Sequence, residues 1–114
     1  MRDGKIMTNT ILILIWLHFI ADFVLQSNKM ATRKSTSWLW LTNHVVWYMV
    51  PFIFVFGVQF TLINGALHFI TDAVTSRVTS HLWKKQEVHW FFVTIGLDQA
   101  IHLTTLILTY NLLS

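Results

Sequence analysis

Long apolar runs alternate with short polar ones along the whole chain. The runs cover residues 7–26, 38–58, 60–78 and 90–113. Each is close to the roughly 20 residues a helix needs to cross the hydrocarbon core of a bilayer. The third is the shortest and most polar. None alternates with period two, and an open sheet in lipid would leave edge backbone groups unpaired, so strands are excluded. The pattern predicts an all-α membrane protein: one transmembrane domain over residues 1–114, built as a four-helix bundle. The first run carries His18 and Asp22 within its apolar stretch and no small-residue cleavage site follows, so it reads as a retained helix rather than a signal peptide.

The connections are short. Residues 27–37 (SNKMATRKSTS) are polar and basic, Gly57-Val58-Gln59 marks a tight hairpin, and residues 79–89 (TSHLWKKQEVH) read as an interfacial helix. Pro51 is expected to kink the second helix, because it removes a backbone donor and crowds the preceding turn.

Composition sharpens this picture. Hydrophobic residues make up 54% of the 114 and charged ones 11%, against about 25% charged in an ordinary soluble domain. So few charges cannot cover a water-facing surface, and the lipid bilayer becomes the expected partner. The absence of cysteine excludes disulfides and thiolate metal sites. A net charge of +3, clustered in the loops, argues against nucleic-acid binding and instead orients the chain. Lys29, Arg33, Lys34, Arg77, Lys84 and Lys85 fall on one side, and Arg2 and Lys5 on the other. The positive-inside rule therefore predicts a multi-pass protein of the inner membrane with both long linkers in the cytoplasm and both termini outside. Trp38, Trp40, Trp83 and Trp90 flank the linkers as an aromatic belt would, and Trp16 and Trp47 read as packing residues.

Of the five acidic residues, Asp22, Asp72 and Asp98 lie within the apolar runs. Each has a histidine four positions away: His18, His68 and His102. Residues i and i+4 share a helix face. The first and third helices run toward the cytoplasm and read His then Asp, whereas the fourth runs away and reads Asp then His. In all three the Asp is shallower and the His deeper, and His44 lies about two turns into the second helix from the same side. The segments LHFIAD (17–22) and LHFITD (67–72) match at five of six positions, as a weak parallel repeat of helix hairpins would. Gln26, Asn64, Ser76, Thr105 and Thr109 extend the polar seams. Arg77 reads equally as a snorkelling cation and as a phosphate-binding group at the mouth of the site.

His and carboxylate one helical turn apart is a metal-ligand spacing. The candidate ligands are His18, Asp22, His44, His68, Asp72, Asp98 and His102. Together they suit one zinc ion or two divalent ions sharing a carboxylate, and the set fits Zn, Mn or Fe. In such a site Asp22, Asp72 and Asp98 are the candidate catalytic groups, as metal bridges or general base. Gln26, Asn64, Gln99 and Arg77 are supporting polar groups. The competing reading is that Asp–His pairs hold helices together, at about 0.6 to 2 kcal/mol per bond. One pair alone is better read as such glue. Three co-oriented pairs plus His44 are better read as a site, because charged groups within a bilayer are costly and are retained for function.

HFIADFVLQ followed by a lysine (Lys29 or Lys34), then His44, LHFITD and DQAIH, resembles the domain-of-unknown-function 3307 family of small bacterial and phage membrane proteins. The resemblance implies His18, Asp22, Gln26, His44, His68, Asp72, Asp98, Gln99 and His102 as signature positions, and a multi-pass inner-membrane protein. It supplies no reaction. Three functions follow from the residues: a metal-dependent hydrolase acting on a lipid or phosphoester; a non-enzymatic membrane module acting through a membrane-protein partner or as a homo-oligomer; or a carrier of metal ions or protons. The apolar outer ends, Ile11 to Ile15 and Pro51 to Phe56, disfavour the carrier.

Overall fold

The computed structural model describes residues 7–113, which are all-helical with no strand among them. The helix α1 (Thr8–Phe19) runs into a single π turn (Ile20–Val24). A short α2 (Asn28–Arg33) follows, then α3 (Trp38–Phe56), α4 (Val58–Lys84) and α5 (Val88–Leu113). Met1 to Ile6 and Ser114 lie outside the described residues, and with them Arg2 and Lys5 of the charge count.

Local chemistry sets the boundaries. Ser27 Oγ accepts from Met30 N at 3.2 Å and starts α2, and Ser37 Oγ accepts from Trp40 N at 3.4 Å and starts α3. Gly57, at φ 87° and ψ 179°, ends α3 and begins α4 in one residue. That backbone geometry is essentially restricted to glycine. Pro51 is accommodated inside α3, which continues to Phe56.

Two elements differ from the hydropathy pattern. The linker 79–89 is not a separate helix: α4 runs on to Lys84, the chain turns through Gln86 (φ 58°), and α5 begins at Val88. Helix propensity carries α4 past the apolar region because nothing in residues 79–84 breaks it. The first apolar run does not stay α-helical to Gln26. It loosens into the π turn, where Leu25 N donates to Ile20 O at 2.9 Å.

The long helices close a four-membered ring: α1 packs on α3 and α5, and α4 lies between α3 and α5. Leu14, Tyr48, Phe52, Phe60 and Leu106 form the apolar core toward the Gly57 end. There Phe56 and Phe60 (centroids 4.9 Å apart) and Tyr110 (5.8 Å from Phe56) fill the bundle. Toward the linker end a polar set is buried, His18, Asp22, His44, His68, Asp72, Asp98 and His102, with Ala21, Met30, Leu41 and Val45 also buried there. Outside, large apolar side chains such as Leu39, Phe54, Ile70, Val74, Phe92 and Leu97 are exposed. Trp16 and Trp47, expected to pack, also face outward at 63% and 48% exposure. By length and composition, α3 and α5 are apolar enough to cross a membrane.

Candidate functional site

The histidines of α1, α3, α4 and α5 meet at one depth. His44 and His68 face each other with Nε2 atoms 3.1 Å apart. His68 stacks on Tyr48 on one side (centroids 3.9 Å apart) and on His102 on the other (4.0 Å). Gly65, one turn before His68, makes room for Met49 of α3: a Cβ there would stand 2.5 Å from Met49 Sδ.

The carboxylates are shared between helices rather than kept by their own i+4 partners. The Oδ1 atom of Asp22 lies 3.0 Å from His44 Nε2 and 3.6 Å from His68 Nε2. Its other oxygen is 3.6 Å from His18. Asp72 Oδ2 is 3.4 Å from His44 Nε2 and 3.8 Å from its own-turn partner His68. Only His102 and Asp98, at 3.1 Å, are closest within their helix. Asp22 lies within the π turn. Such turns occur frequently at functional sites.

His44 Nε2 and His68 Nε2 each lie 3.0 to 3.8 Å from Asp22 Oδ1 and Asp72 Oδ2, and 3.1 Å from each other, which makes five short separations among four donor atoms. For metal–ligand bonds of about 2.0–2.1 Å, the edge of a coordination tetrahedron is about 3.3 Å. The separations bracket that value. Two overlapping trios, Asp22–His68–His102 and His44–His68–Asp72, also bring one ligand atom each to within 4.8 Å of one another.

Gln99 organises the remaining groups. Its Oε1 lies 2.7 Å from His18 Nε2, and its Nε2 donates to Asp22 Oδ2 (3.3 Å) and Asp98 Oδ2 (3.1 Å). A carbonyl oxygen only accepts, so in neutral His18 the Nε2 atom carries the proton and Nδ1 accepts from Tyr48 Oη at 3.0 Å. His18 therefore orients Gln99, and through it the carboxylates, rather than pointing a lone pair at the donor cluster. Thr75 Oγ1 donates to Asp98 Oδ1 at 2.6 Å, and Lys34 Nζ reaches Asp72 Oδ2 at 3.0 Å.

The three carboxylates line a cavity of about 530 Å³ at the linker end, together with Gln26, Gln99 and Lys34. No histidine lines it; the four imidazoles lie behind the carboxylates, each at most 3% exposed. Phe23, Trp83, Phe91 and Phe92 form apolar walls.

Other expected residues stand apart. Asn64 is buried and donates to Phe60 O in its own helix. Arg77 lies across the Trp38 ring, 4.2 Å from its centroid, and donates to Ala73 O, away from the cavity lining. Thr105 and Thr109 bond back to their own helix carbonyls. Reading the sequence missed Tyr48 and Thr75. Tyr48 is one turn beyond His44, and that spacing was the available signal.

The family model described as "Protein of unknown function (DUF3307)" matches residues 10–114. The chain belongs to that family. The DUF3307 match spans every cluster residue from His18 to His102. Neither curated proteins nor solved structures give a match.

Proposed function

We propose that this DUF3307 protein is a four-span membrane protein that hydrolyses a lipid or phosphoester at the membrane surface with a divalent metal ion. The observation that carries the reading is the close approach of Asp22 and Asp72 to the His44–His68 pair, from opposite helices, behind a cavity lined by three carboxylates. A divalent ion would supply Lewis acidity toward a phosphoryl or carbonyl oxygen. Asp98, held by Thr75, Gln99 and His102, is the carboxylate outside that four-residue set and the residue we assign as general base.

The distribution of side chains supports the membrane reading. A soluble bundle exposes polar groups, whereas here a layer of His and Asp is buried beside the apolar core and the exterior is rich in Leu, Ile, Val and Phe. The helix α4 is too polar to qualify as a span by composition, yet its polar residues Asn64, His68, Asp72, Thr75 and Ser76 are buried, while Leu62, Ile70, Val74 and Val78 face out. The loop basic residues favour a cytoplasmic linker end and inner-membrane insertion. The aromatic plug of Phe56, Phe60 and Tyr110 argues against a carrier, because it closes the bundle opposite the cavity.

A structural reading has its own support: Gln99, Tyr48 and Lys34 satisfy much of the polar cluster without an ion. Elemental analysis of the protein purified in detergent separates the two. One equivalent of zinc, manganese or iron, with chelator-sensitive hydrolysis of a phospholipid or aryl phosphodiester, is the expected result. A metal-free protein whose melting curve ignores chelator would overturn the proposal in favour of a module acting through a partner.

A further inference from the structure

Lys34 stands where the donor cluster meets the cavity. Its Nζ is 3.0 Å from Asp72 Oδ2, and that same oxygen faces His44 Nε2 at 3.4 Å and His68 Nε2 at 3.8 Å. The lysine side chain is only 16% exposed, so this is an enclosed pair rather than a surface one. An ion ligated by Asp72 Oδ2 would stand about 2.0–2.2 Å from that oxygen. The ammonium would then lie within a few ångströms of a divalent charge, with little water between to screen them. The ion and the ammonium repel at that range and compete for the same Asp72 oxygen. Occupancy by the ion therefore favours release of Lys34 from Asp72.

The space open to the released side chain is the cavity it already lines. Among the described lining residues Lys34 is the one cation. Ser76, one turn from Asp72 on the same wall, is 94% buried by its 6% exposure, and its Oγ has no hydrogen-bond partner. A buried hydroxyl without a partner is costly unless a ligand supplies one. While the ion is absent, Asp22, Asp72 and Asp98 outweigh Lys34 and repel anions from this cavity; a bound divalent ion neutralises that excess and removes the repulsion.

We propose that metal binding releases Lys34 to form, with Ser76, a phosphate-binding site beside the ion, so that the cavity takes a phosphate group only after the metal. This rests on the metal reading above and names phosphate as the group the substrate presents. The ion and the lysine compete for Asp72, while the ion and the phosphate bind cooperatively.

The test titrates Mn²⁺ into protein in detergent and follows free Mn²⁺ by electron paramagnetic resonance. Phosphorus-31 relaxation then reports phosphate held next to the bound ion. Lys34→Met should bind Mn²⁺ about tenfold or more tightly than wild type, because the competing charge is gone. Lys34→Arg keeps the charge and should match wild type, which shows that the Met variant acts through charge rather than altered folding. With Mn²⁺ bound, wild type should enhance relaxation of inorganic phosphate or of a short-chain phosphatidylglycerol; enhancement of the lipid alone identifies a headgroup as the source. Lys34→Met and Ser76→Ala should lose that enhancement, and Ser76→Ala should keep wild-type Mn²⁺ affinity. Equal Mn²⁺ affinity in wild type and Lys34→Met would overturn this inference and leave the metal reading standing. Unchanged relaxation of both phosphates in wild type would remove the phosphate site. Absence of Mn²⁺ binding in wild type and Lys34→Met alike would overturn both readings.

Discussion

Gln99 is the most informative residue to perturb, because one amide joins three ionisable groups from two helices. In Gln99→Leu three contacts disappear: the 2.7 Å bond to His18 and the donations to Asp22 and Asp98 at 3.3 and 3.1 Å. Buried bonds to charged partners are worth about 1.5–3 kcal/mol each in soluble proteins. Within membrane bundles the measured average is about 0.6 and the maximum about 1.7 kcal/mol, since the unfolded chain also finds partners in the bilayer. On the membrane reading proposed above the lower scale applies, and three bonds then imply a loss of about 2–5 kcal/mol. Gln99→Glu keeps the shape and the acceptor toward His18, but sets a carboxylate oxygen where the amide nitrogen now meets two others. At about 3.2 Å and an effective dielectric of about 20, each such pair costs about 5 kcal/mol before relaxation. Side-chain movement relieves part of this, yet the variant should remain less stable than Gln99→Leu. The assay is thermal unfolding in detergent followed by tryptophan fluorescence, with chelator present so that the new carboxylate cannot gain from a metal. The expected order is wild type, then Gln99→Leu, then Gln99→Glu. Gln99→Glu equal to or more stable than Gln99→Leu would refute the amide orientation, and with it the assignment of the His18 proton to Nε2.

Other outcomes follow from the same geometry. His44→Ala should abolish stoichiometric metal and make the melting temperature insensitive to chelator, because linkage stabilisation vanishes with the site; elemental analysis and a thermal scan check this. Gly57→Ala should destabilise by about 1–3 kcal/mol through backbone strain alone, since an added Cβ meets nothing within 4 Å. Gly96→Ala, inside α5 and equally open, should instead stabilise by about 0.5–1 kcal/mol in the same unfolding assay. Cysteines introduced at Ser35 and Gln59 should react with an impermeant thiol reagent from opposite sides of the membrane; labelling from one side would refute the four-span arrangement.

Hydropathy was enough to predict an all-helical chain, because a helix satisfies its backbone locally and an apolar run needs no tertiary partner to become one. The spacing of His18–Asp22, His68–Asp72 and Asp98–His102 likewise placed three polar pairs on three helix faces, since i and i+4 positions are set by helix geometry alone. The layering of carboxylates in front of imidazoles follows from the same periodicity and the order of the pairs. What the linear pattern could not contain is which helix each carboxylate serves. Asp22, in the π turn, lies nearer to His44 than to His18, and Asp72 lies nearer to His44 than to His68. Those choices depend on how the helices are rotated and packed against one another. The role of Lys34 was equally hidden: seen along the sequence it is one basic residue of a polar linker, and only the folding of α2 back over α3 carries its ammonium to Asp72. Periodicity decided which residues share a face, and the contacts between helices decided which carboxylate meets which imidazole.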